Sequence, residues 1–379
     1  MNLTGYTAIL LGSICFLHAF LAPSSALDDT APDVTCEKDD ECRADMASAV
    51  KTMRAVIAEA GKLIVVNRPV PVAKEGEVLV KIHYSAINRA DTLQRAGKYP
   101  VPPGETDILG LEMSGTVVGG GTTKFPTNSK VMSLLGGGGY AEYVAVDENM
   151  LMPVPDGISL RVAAGIPETW LTAYQLLHFV TKVETNDTVV IHAGGSGVGT
   201  AATQLATQHG CRVFVTAGTD EKIAKGIELG ATGGANYKKT DWDVEILKQA
   251  GDAGVNAVLD CVGGSYWKQN ANVLSTDGRW TLYGLMGGAQ IEGPLLGLML
   301  RKRLRMEATT LRSRSLEYKK QLTKEFSSHA LDLFASQRYQ VIVDKESFDL
   351  ETAQQSHDYM ETNANIGKIL IKVASEDAY

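Results

Sequence analysis

The sequence predicts an α/β protein in which a β-rich, turn-rich part is followed by a doubly wound parallel sheet. Short strand patterns separated by glycine and proline extend from Met53 to about residue 150. From about residue 163 onward, strand and helix patterns alternate, which is typical of a parallel sheet with right-handed crossovers. The chain has 379 residues, 44% of them hydrophobic and 21% charged, and is therefore long enough for two domains with sizeable cores.

The first 52 residues differ in composition from the rest of the chain. Residues 1–27 contain no Lys, Arg, Asp or Glu, and a mostly apolar run ends before the small residues Ser24–Ala26. This pattern predicts a signal peptide over residues 1–26, which directs the chain to the secretory pathway, either the ER lumen or secretion. The segment Ala19–Pro23 also resembles the junction of bipartite presequences, so import into a complex plastid is the alternative.

Residues 27–52 form an acidic spacer that lacks hydrophobic periodicity, and we expect it to be disordered. Cys36 and Cys42 lie within it and form a disulfide only if the spacer reaches an oxidising compartment; otherwise they are two exposed thiols. Cys211 opens a predicted strand and Cys261 closes one, which predicts two small core residues.

The charge pattern argues against several partners. The net charge is −8, and residues 1–52 carry eight acidic and three basic side chains. Nucleic-acid binding needs a clustered basic face, and the sequence gives no sign of one, so we predict no nucleic-acid partner. After removal of the signal peptide, no stable membrane span is expected. No Cys-x-x-Cys and no His/Cys cluster has the spacing of a zinc site, so we predict no metal.

The strands of the first part follow from short apolar runs bounded by turn residues. They are predicted at residues 54–57, 63–66, 77–83, 108–118 and 140–146. The glycines at 136–139 predict a hinge or tight turn between the last two of these strands.

The second part begins with a predicted helix at Glu168–Val180 and continues as alternating strands and helices. The strands are predicted at residues 189–193, 212–217, 235–237, 257–261 and 279–285, and the helices at 198–209, 221–230, 241–250 and 266–274. Helices at 318–334 and 353–361 and a strand at 368–373 close the chain, and we expect them to return to the first part.

The segment Thr188–Ala206 is the most informative stretch of the sequence. It is predicted to form a buried strand, a glycine-rich turn and an amphipathic helix. Gly194 and Gly199 occupy the outer positions of the G-x-G-x-x-G pattern, and Ser196 replaces the middle glycine. Free backbone N–H groups and a helix N-terminus make this turn a cradle for the phosphates of a dinucleotide.

A set of motifs in a fixed order resembles the medium-chain dehydrogenases/reductases, specifically their zinc-free NADPH:quinone oxidoreductases (the stress-inducible, zeta-crystallin-like branch). The motifs are Asn88–Asp91, Gly97–Tyr99, Ile108–Gly115, Trp170–Tyr174, Gly194–Gly199, Asn236–Lys239, Leu259–Trp267 and Leu282–Gly288. The resemblance covers Met53–Val373. It implies a GroES-like catalytic domain at residues 53–170 and 320–379 and a Rossmann NADPH-binding domain at residues 171–319.

The reaction follows from a departure within the resemblance. Asn88 and Leu111 stand where zinc-dependent relatives carry a Cys and a His, and neither residue is a credible zinc ligand. The resemblance therefore implies an NADPH-dependent reductase that transfers hydride to a quinone. Two alternatives are an NADPH-dependent reductase of enones or alkenals, with an activated alkene as substrate, and a non-catalytic NADPH-binding protein. A homodimer is expected by analogy.

The choice of NADPH over NADH depends on the end of the second strand of the parallel sheet. This strand ends at Gly218 with no carboxylate at the expected place, whereas Thr219 and Lys222 suit a 2′-phosphate. Asp220 is the opposing feature and could equally cap the next helix. The resemblance places Tyr237 beside the adenosine. The predicted cofactor-binding residues are Asn88, Thr169, Gly194, Gly195, Ser196, Gly197, Val198, Gly199, Gly218, Thr219, Lys222, Tyr237, Gly284 and Leu285.

Three residues are predicted to take part in catalysis. Asn88 is expected to hold the nicotinamide ribose or, alternatively, to satisfy a buried turn. Tyr99 is expected at the substrate mouth, as a proton donor or a stacking ring, or as simple packing. Ser196 is expected to contact pyrophosphate or nicotinamide, or to be structural. His192 is predicted to be a buried core histidine, and Arg312 either approaches a cofactor phosphate or is surface charge.

Overall fold

Two large sheets organise residues 51–375, the part of the chain that the computed structural model describes. The predicted α/β class is confirmed, because one sheet is mixed and mostly antiparallel and the other is wholly parallel. The predicted signal peptide, almost all of the acidic spacer, Cys36 and Cys42 lie outside the described residues. The predicted domain boundaries remain a prediction.

The first sheet has seven strands in the order β14-β15-β3-β4-β5-β7, with β6 paired to β3. A separate hairpin, β1 with β2, accompanies it. The bounds are β1 Thr52–Glu59, β2 Lys62–Pro69, β3 Glu77–Ala86, β4 Glu112–Gly119, β5 Lys130–Leu134, β6 Tyr143–Asp147, β7 Leu151–Pro153, β14 Val343–Asp349 and β15 Lys368–Lys372. Because β15 pairs with β3, the C-terminal segment returns to the first part of the chain as predicted.

The second sheet has six parallel strands in the order β10-β9-β8-β11-β12-β13. Their bounds are β8 Thr188–Ile191, β9 Arg212–Ala217, β10 Gly233–Asn236, β11 Val255–Asp260, β12 Leu274–Leu282 and β13 Arg305–Ala308. The chain starts in the middle, runs to one edge and then returns to build the other half. The strand order therefore reverses between β8 and β11, which is where such sheets bind dinucleotides.

Ten α-helices connect and cover these strands within the described residues. Their bounds are α1 Arg89–Arg95, α2 Leu160–Ala163, α3 Pro167–Tyr174, α4 Gly197–Gln208, α5 Asp220–Glu228, α6 Trp242–Ala250, α7 Trp267–Val273, α8 Leu295–Lys302, α9 Leu316–Ala335 and α10 Ala353–Glu361. A π-helical segment, Gln175–Thr181, continues α3 and completes the helix predicted at 168–180. No helix among the described residues is long and apolar enough to cross a membrane.

The largest core joins the two sheets through α3 and α9. Trp170 is 2% exposed, and its ring lies 4.6 Å from that of Phe334 and 5.0 Å from that of Tyr339. Cys211 and Cys261 are both buried, as predicted.

One predicted strand is shorter than expected. The strand predicted at 108–118 begins only at Glu112, because Gly110 has a φ of +97° and turns the chain. A side chain at Gly110 would lie 2.6 Å from the backbone nitrogen of Tyr140, so this turn requires glycine.

Candidate cofactor and acceptor site

A cleft of about 250 Å³ opens at the carboxyl ends of β8 and β11, where the order of the parallel strands reverses. Nine of the predicted cofactor-binding residues line it: Asn88, Thr169, Gly195, Ser196, Gly197, Val198, Gly218, Lys222 and Tyr237. Five do not: Gly194, Gly199, Thr219, Gly284 and Leu285. The site is therefore where the glycine turn predicted it, with a smaller lining than expected.

The two outer glycines of the turn, Gly194 and Gly199, allow close packing of the turn and do not line the cleft. A Cβ at Gly194 would lie 2.6 Å from the Cβ of Val215, and a Cβ at Gly199 would meet the carbonyl oxygen of Ala193. Both positions therefore allow helix α4 to start close against the sheet, which is the packing role of glycine in such turns. Neither glycine lines the cleft, and their contact with the cofactor stays a prediction.

Ser196 is the N-cap of α4. Its Oγ accepts a hydrogen bond from the backbone N–H of Gly199 at 3.0 Å, which satisfies one of the free donors at the helix start. The hydroxyl proton is not used by this bond and is available to a ligand in the cleft. The structural and the ligand-binding roles that the sequence left open are thus compatible.

The C-terminal segment closes against the glycine turn. The backbone N–H of Gly367 donates to the carbonyl of Gly195 at 2.8 Å, and Gly367 forms a parallel bridge with Ser196. A Cβ at Gly197 would lie 2.7 Å from Lys368 Cδ and 2.8 Å from Thr169 Cγ2. Gly197 therefore allows Lys368 and Thr169 to reach the edge of the cleft.

The end of the cleft predicted to bind the 2′-phosphate is lined by Lys222. Its Nζ donates to the carbonyl of Asn363 at 2.6 Å, and burial, followed by the charge of Lys238, lowers its pKa. Thr219 uses its Oγ1 as the N-cap of α5. Asp220 accepts hydrogen bonds from Asn236 and Lys239, so the charge of this carboxylate is balanced by a lysine. Asp220 does not line the cleft and therefore does not oppose a phosphate there.

Arg89 is a second cation in the cleft, and it is absent from the residues predicted from the sequence. Its Nη2 donates to Asn363 Oδ1 at 2.7 Å and to the carbonyl of Met360 at 3.2 Å, and burial lowers its pKa. The sequence does contain a sign of this role, because Arg89 directly follows Asn88 in the motif Asn88–Asp91. Of that motif, only Asn88 is among the predicted cofactor-binding residues. Arg89 and Lys222 together make the cleft suitable for an anionic ligand.

The predicted catalytic Asn88 belongs to a buried network of charges. Lys368 Nζ donates to Asn88 Oδ1 at 2.7 Å and pairs with Glu112 Oε1 at 2.7 Å, while Asn88 Nδ2 donates to the same carboxylate oxygen at 2.9 Å. The Lys368 and Glu112 side chains are only 4% and 0% exposed. The orientation of the Asn88 amide is therefore fixed at the edge of the cleft.

Zinc does not fit these residues. Leu111 is buried at 1% exposure, and Asn88 uses its amide oxygen to accept a hydrogen bond from the Lys368 ammonium. The Lys368 ammonium therefore already contacts Asn88, which is one of the two positions that carry zinc ligands in zinc-dependent relatives. The described residues contain no group of three His, Cys, Asp or Glu side chains that could hold a metal ion.

Tyr99 lies outside the cleft lining, next to Arg312. The Arg312 guanidinium lies 5.5 Å from the centroid of the Tyr99 ring and donates to the carbonyl of Gly136 and to Gln94 Oε1. Arg312 is 6% exposed. It is therefore not surface charge, so that interpretation is wrong; it does not line the cleft, and its approach to a cofactor phosphate stays a prediction. Its role is to hold the loop that carries Tyr99.

His192 is a buried core residue, as predicted. Its Nδ1 lies 2.8 Å from Thr216 Oγ1 and its Nε2 lies 2.8 Å from Asn270 Oδ1. Both ring nitrogens are occupied, and burial lowers the pKa of the ring.

Replacing Lys368 with Met should destabilise the protein by about 3–5 kcal/mol, because Glu112 would remain buried without its partner. Urea unfolding measures this loss. The double variant Glu112→Gln with Lys368→Met should recover part of it, since no unpaired charge then remains. In the control Lys225→Met, an exposed ion pair is lost and the change should stay below about 1 kcal/mol. Equal losses in Lys368→Met and Lys225→Met would show that the buried pair is no more costly to break than an exposed one.

Comparison with known families supports the same site. The description "Alcohol dehydrogenase GroES-like domain" matches residues 74–156, and the description "Zinc-binding dehydrogenase" matches residues 197–334. Both descriptions are of dehydrogenase domains, which agrees with the predicted fold class, while the predicted domain boundaries remain a prediction. The second match spans the glycine turn from Gly197 onward.

Individual relatives are similar over most of their length. The quinone oxidoreductase of Rattus norvegicus is 29% identical over 254 residues, which are 65% of this chain and 77% of the relative. The quinone oxidoreductase-like protein 2 of Bos taurus is 29% identical over 346 residues, or 88% of this chain and 96% of the relative. The Escherichia coli quinone oxidoreductase complexed with NADPH superposes with a TM-score of 0.74 at 26% identity, covering 84% of this chain and 99% of that chain. The chain belongs to the medium-chain dehydrogenase/reductase superfamily and is similar to its quinone oxidoreductases.

Proposed function

We propose that this protein is an NADPH-dependent quinone oxidoreductase that works without zinc. The observation that carries this proposal is the cleft itself, which has cations at one end and the Asn88–Lys368–Glu112 network at the other. The similar quinone oxidoreductases, one of them complexed with NADPH, support the same reaction and cofactor.

NADPH supplies the hydride when it is bound, and the protein supplies position and charge. The N-terminus of α4 and the cation Arg89 suit the pyrophosphate, and Lys222 suits the 2′-phosphate. The Asn88 oxygen keeps one lone pair beyond the bond from Lys368 and can accept from a ribose hydroxyl. These contacts hold the cofactor in one orientation, which is the main requirement for hydride transfer.

The experiment that tests this function is anaerobic turnover with NADPH across a panel of ortho- and para-quinones and a panel of enones. We expect quinones to be reduced. Turnover of enones with no quinone activity would replace the proposal with an alkene reductase. Tight NADPH binding without consumption in either panel would favour a non-catalytic NADPH-binding protein.

Replacing Lys222 with Ala should weaken NADPH binding by roughly 10- to 100-fold, because a charged hydrogen bond to phosphate is worth about 1.5–3 kcal/mol. Binding of NADH should change little, and fluorescence titration measures both Kd values. Lys225→Ala is the control on the same helix, since Lys225 pairs with Glu228. Equal losses for the two cofactors would show that Lys222 does not read the 2′-phosphate.

We propose that the protein is a homodimer, with β13 and α8 at its interface. Strand β13 is an edge of the parallel sheet, and the adjacent α8 exposes Leu296 and Leu300 at 82% each. Unpaired edge strands and exposed apolar side chains favour association. Leu300→Glu should lower the sedimentation coefficient to that of a monomer, whereas Val72→Glu, at another exposed apolar site, should not. A wild-type monomer would overturn the proposal.

We also propose that the N-terminal segment directs the chain to the secretory pathway, with complex-plastid import as the alternative. The proposal is supported by the uncharged, apolar composition of residues 1–27. A fluorescent fusion that carries residues 1–52 separates the two destinations, and a cytosolic signal would reject both.

A further inference from the structure

Four ionisable side chains meet beside the cofactor cleft and take no part in the binding described above. They are Tyr99, Glu168, Arg312 and Lys319, and each acts electrostatically on at least one other member of the group. Glu168 directly precedes Thr169, which lines the cleft. The group therefore adjoins the space in which the cofactor and the acceptor must meet.

Two members of this group lack hydrogen-bond partners among the described residues. The Glu168 carboxylate accepts no hydrogen bond from them, although its backbone N–H is fixed by Glu112 Oε2 at 2.8 Å. The Lys319 ammonium donates none, although the residue is only 9% exposed. Neither polar end is fully buried, so the carboxylate and the ammonium are both accessible to a polar ligand.

Arg312 and Tyr99 are the other two members of the group, and both act electrostatically on or with Glu168. Arg312 uses Nε and Nη2 for the carbonyl of Gly136, at 2.9 and 2.7 Å, and Nη1 for Gln94 Oε1, so three of its five N–H donors are bonded to the protein. Arg312 contacts the Tyr99 ring, whereas Lys319 is influenced by the charges of Glu105 and Glu168 and has no hydrogen-bond partner among the described residues. The ring of Tyr99 is partly exposed and offers a face on which a flat acceptor can stack.

We propose that Tyr99, Glu168 and Lys319 form the acceptor subsite, in which Glu168 supplies the proton that completes reduction and Lys319 donates a hydrogen bond to the acceptor oxygen. This inference rests on the proposed reductase function and deepens it. It assigns the proton source to Glu168, whereas the sequence motifs offered Tyr99 as the proton donor.

The proton balance of the reaction requires such a source. Bound NADPH would supply a hydride, which is equivalent to two electrons and one proton. The quinone then needs one further proton to become a hydroquinone. The O–H bond of the Glu168 carboxylic acid breaks, and a new O–H bond forms at the reduced acceptor oxygen. Lys319 keeps its protons and stabilises the oxygen while negative charge develops on it. Solvent then returns a proton to Glu168.

The surroundings of Glu168 keep it protonated at neutral pH. Burial and, after it, the charge of Glu112 raise its pKa to about 8, and the charges of Lys368 and Arg312 oppose this shift. The titratable and charged groups that face it from the elements around it are Asp91, Tyr99, Glu112, Arg312, Lys319 and Lys368. Because the acid form is the active one, the rate should fall as the pH rises through about 8.

The test is the pH dependence of kcat/KM with NADPH and the best acceptor, comparing the wild type with Glu168→Gln. The wild-type rate should fall above about pH 8, and Glu168→Gln should lower kcat by roughly 100-fold and remove that fall. The Kd for NADPH should stay within about twofold, because the pyrophosphate and ribose contacts are intact. Difference infrared spectroscopy should show a carboxylic acid that titrates near pH 8 in the wild type and is absent from the variant.

Three further variants complete the test. Glu317→Gln alters an exposed acid on the same helix as Lys319 and should change nothing. Lys319→Met should lower kcat but keep the alkaline fall, and Tyr99→Phe should also keep it, because Glu168 still titrates in both. An active wild type whose Glu168→Gln variant keeps the rate and the pH profile overturns the proton source alone. A wild type that reduces no acceptor overturns the proposed function itself.

Discussion

The ion pair between Glu112 and Lys368 is the contact on which the arrangement of the site depends. Glu112 lies in β4 and Lys368 in β15, and together they fix the Asn88 amide before α1 and the backbone N–H of Glu168 at the start of α3. Four elements thus meet at one carboxylate and one ammonium. Buried ion pairs contribute little net stability, but an unpaired member is costly, so alternative arrangements of these elements are disfavoured.

The sequence was sufficient for the phosphate cradle because its parts are neighbours in the chain. A buried strand, glycines at close-packed positions and an N-cap serine occur within twelve residues, from Thr188 to Gly199, and each has a local physical meaning. The parallel pairing of these strands follows from the alternation of strands and helices along the chain. The predicted strand at 108–118 was too long, because the turn at Gly110 depends on contact with the distant Tyr140.

The charged network could not be predicted in the same way. Asn88 and Lys368 are 280 residues apart, and Lys368 in its strand has no local pattern that distinguishes it from a solvent-exposed lysine. Glu168 looked like an ordinary acid in the first turn of a helix, where negative charge is favourable. Only the fold shows that it lies among other carboxylates in a packed part of the molecule, which is what changes its protonation.

Lys222 keeps two N–H donors beyond its bond to the carbonyl of Asn363. A phosphate can therefore bind Lys222 while that bond stays in place. Asn363 lies four residues before Gly367, which is hydrogen-bonded to the glycine turn. One lysine therefore connects the phosphate end of the cleft with the segment that leads into β15 and to Lys368.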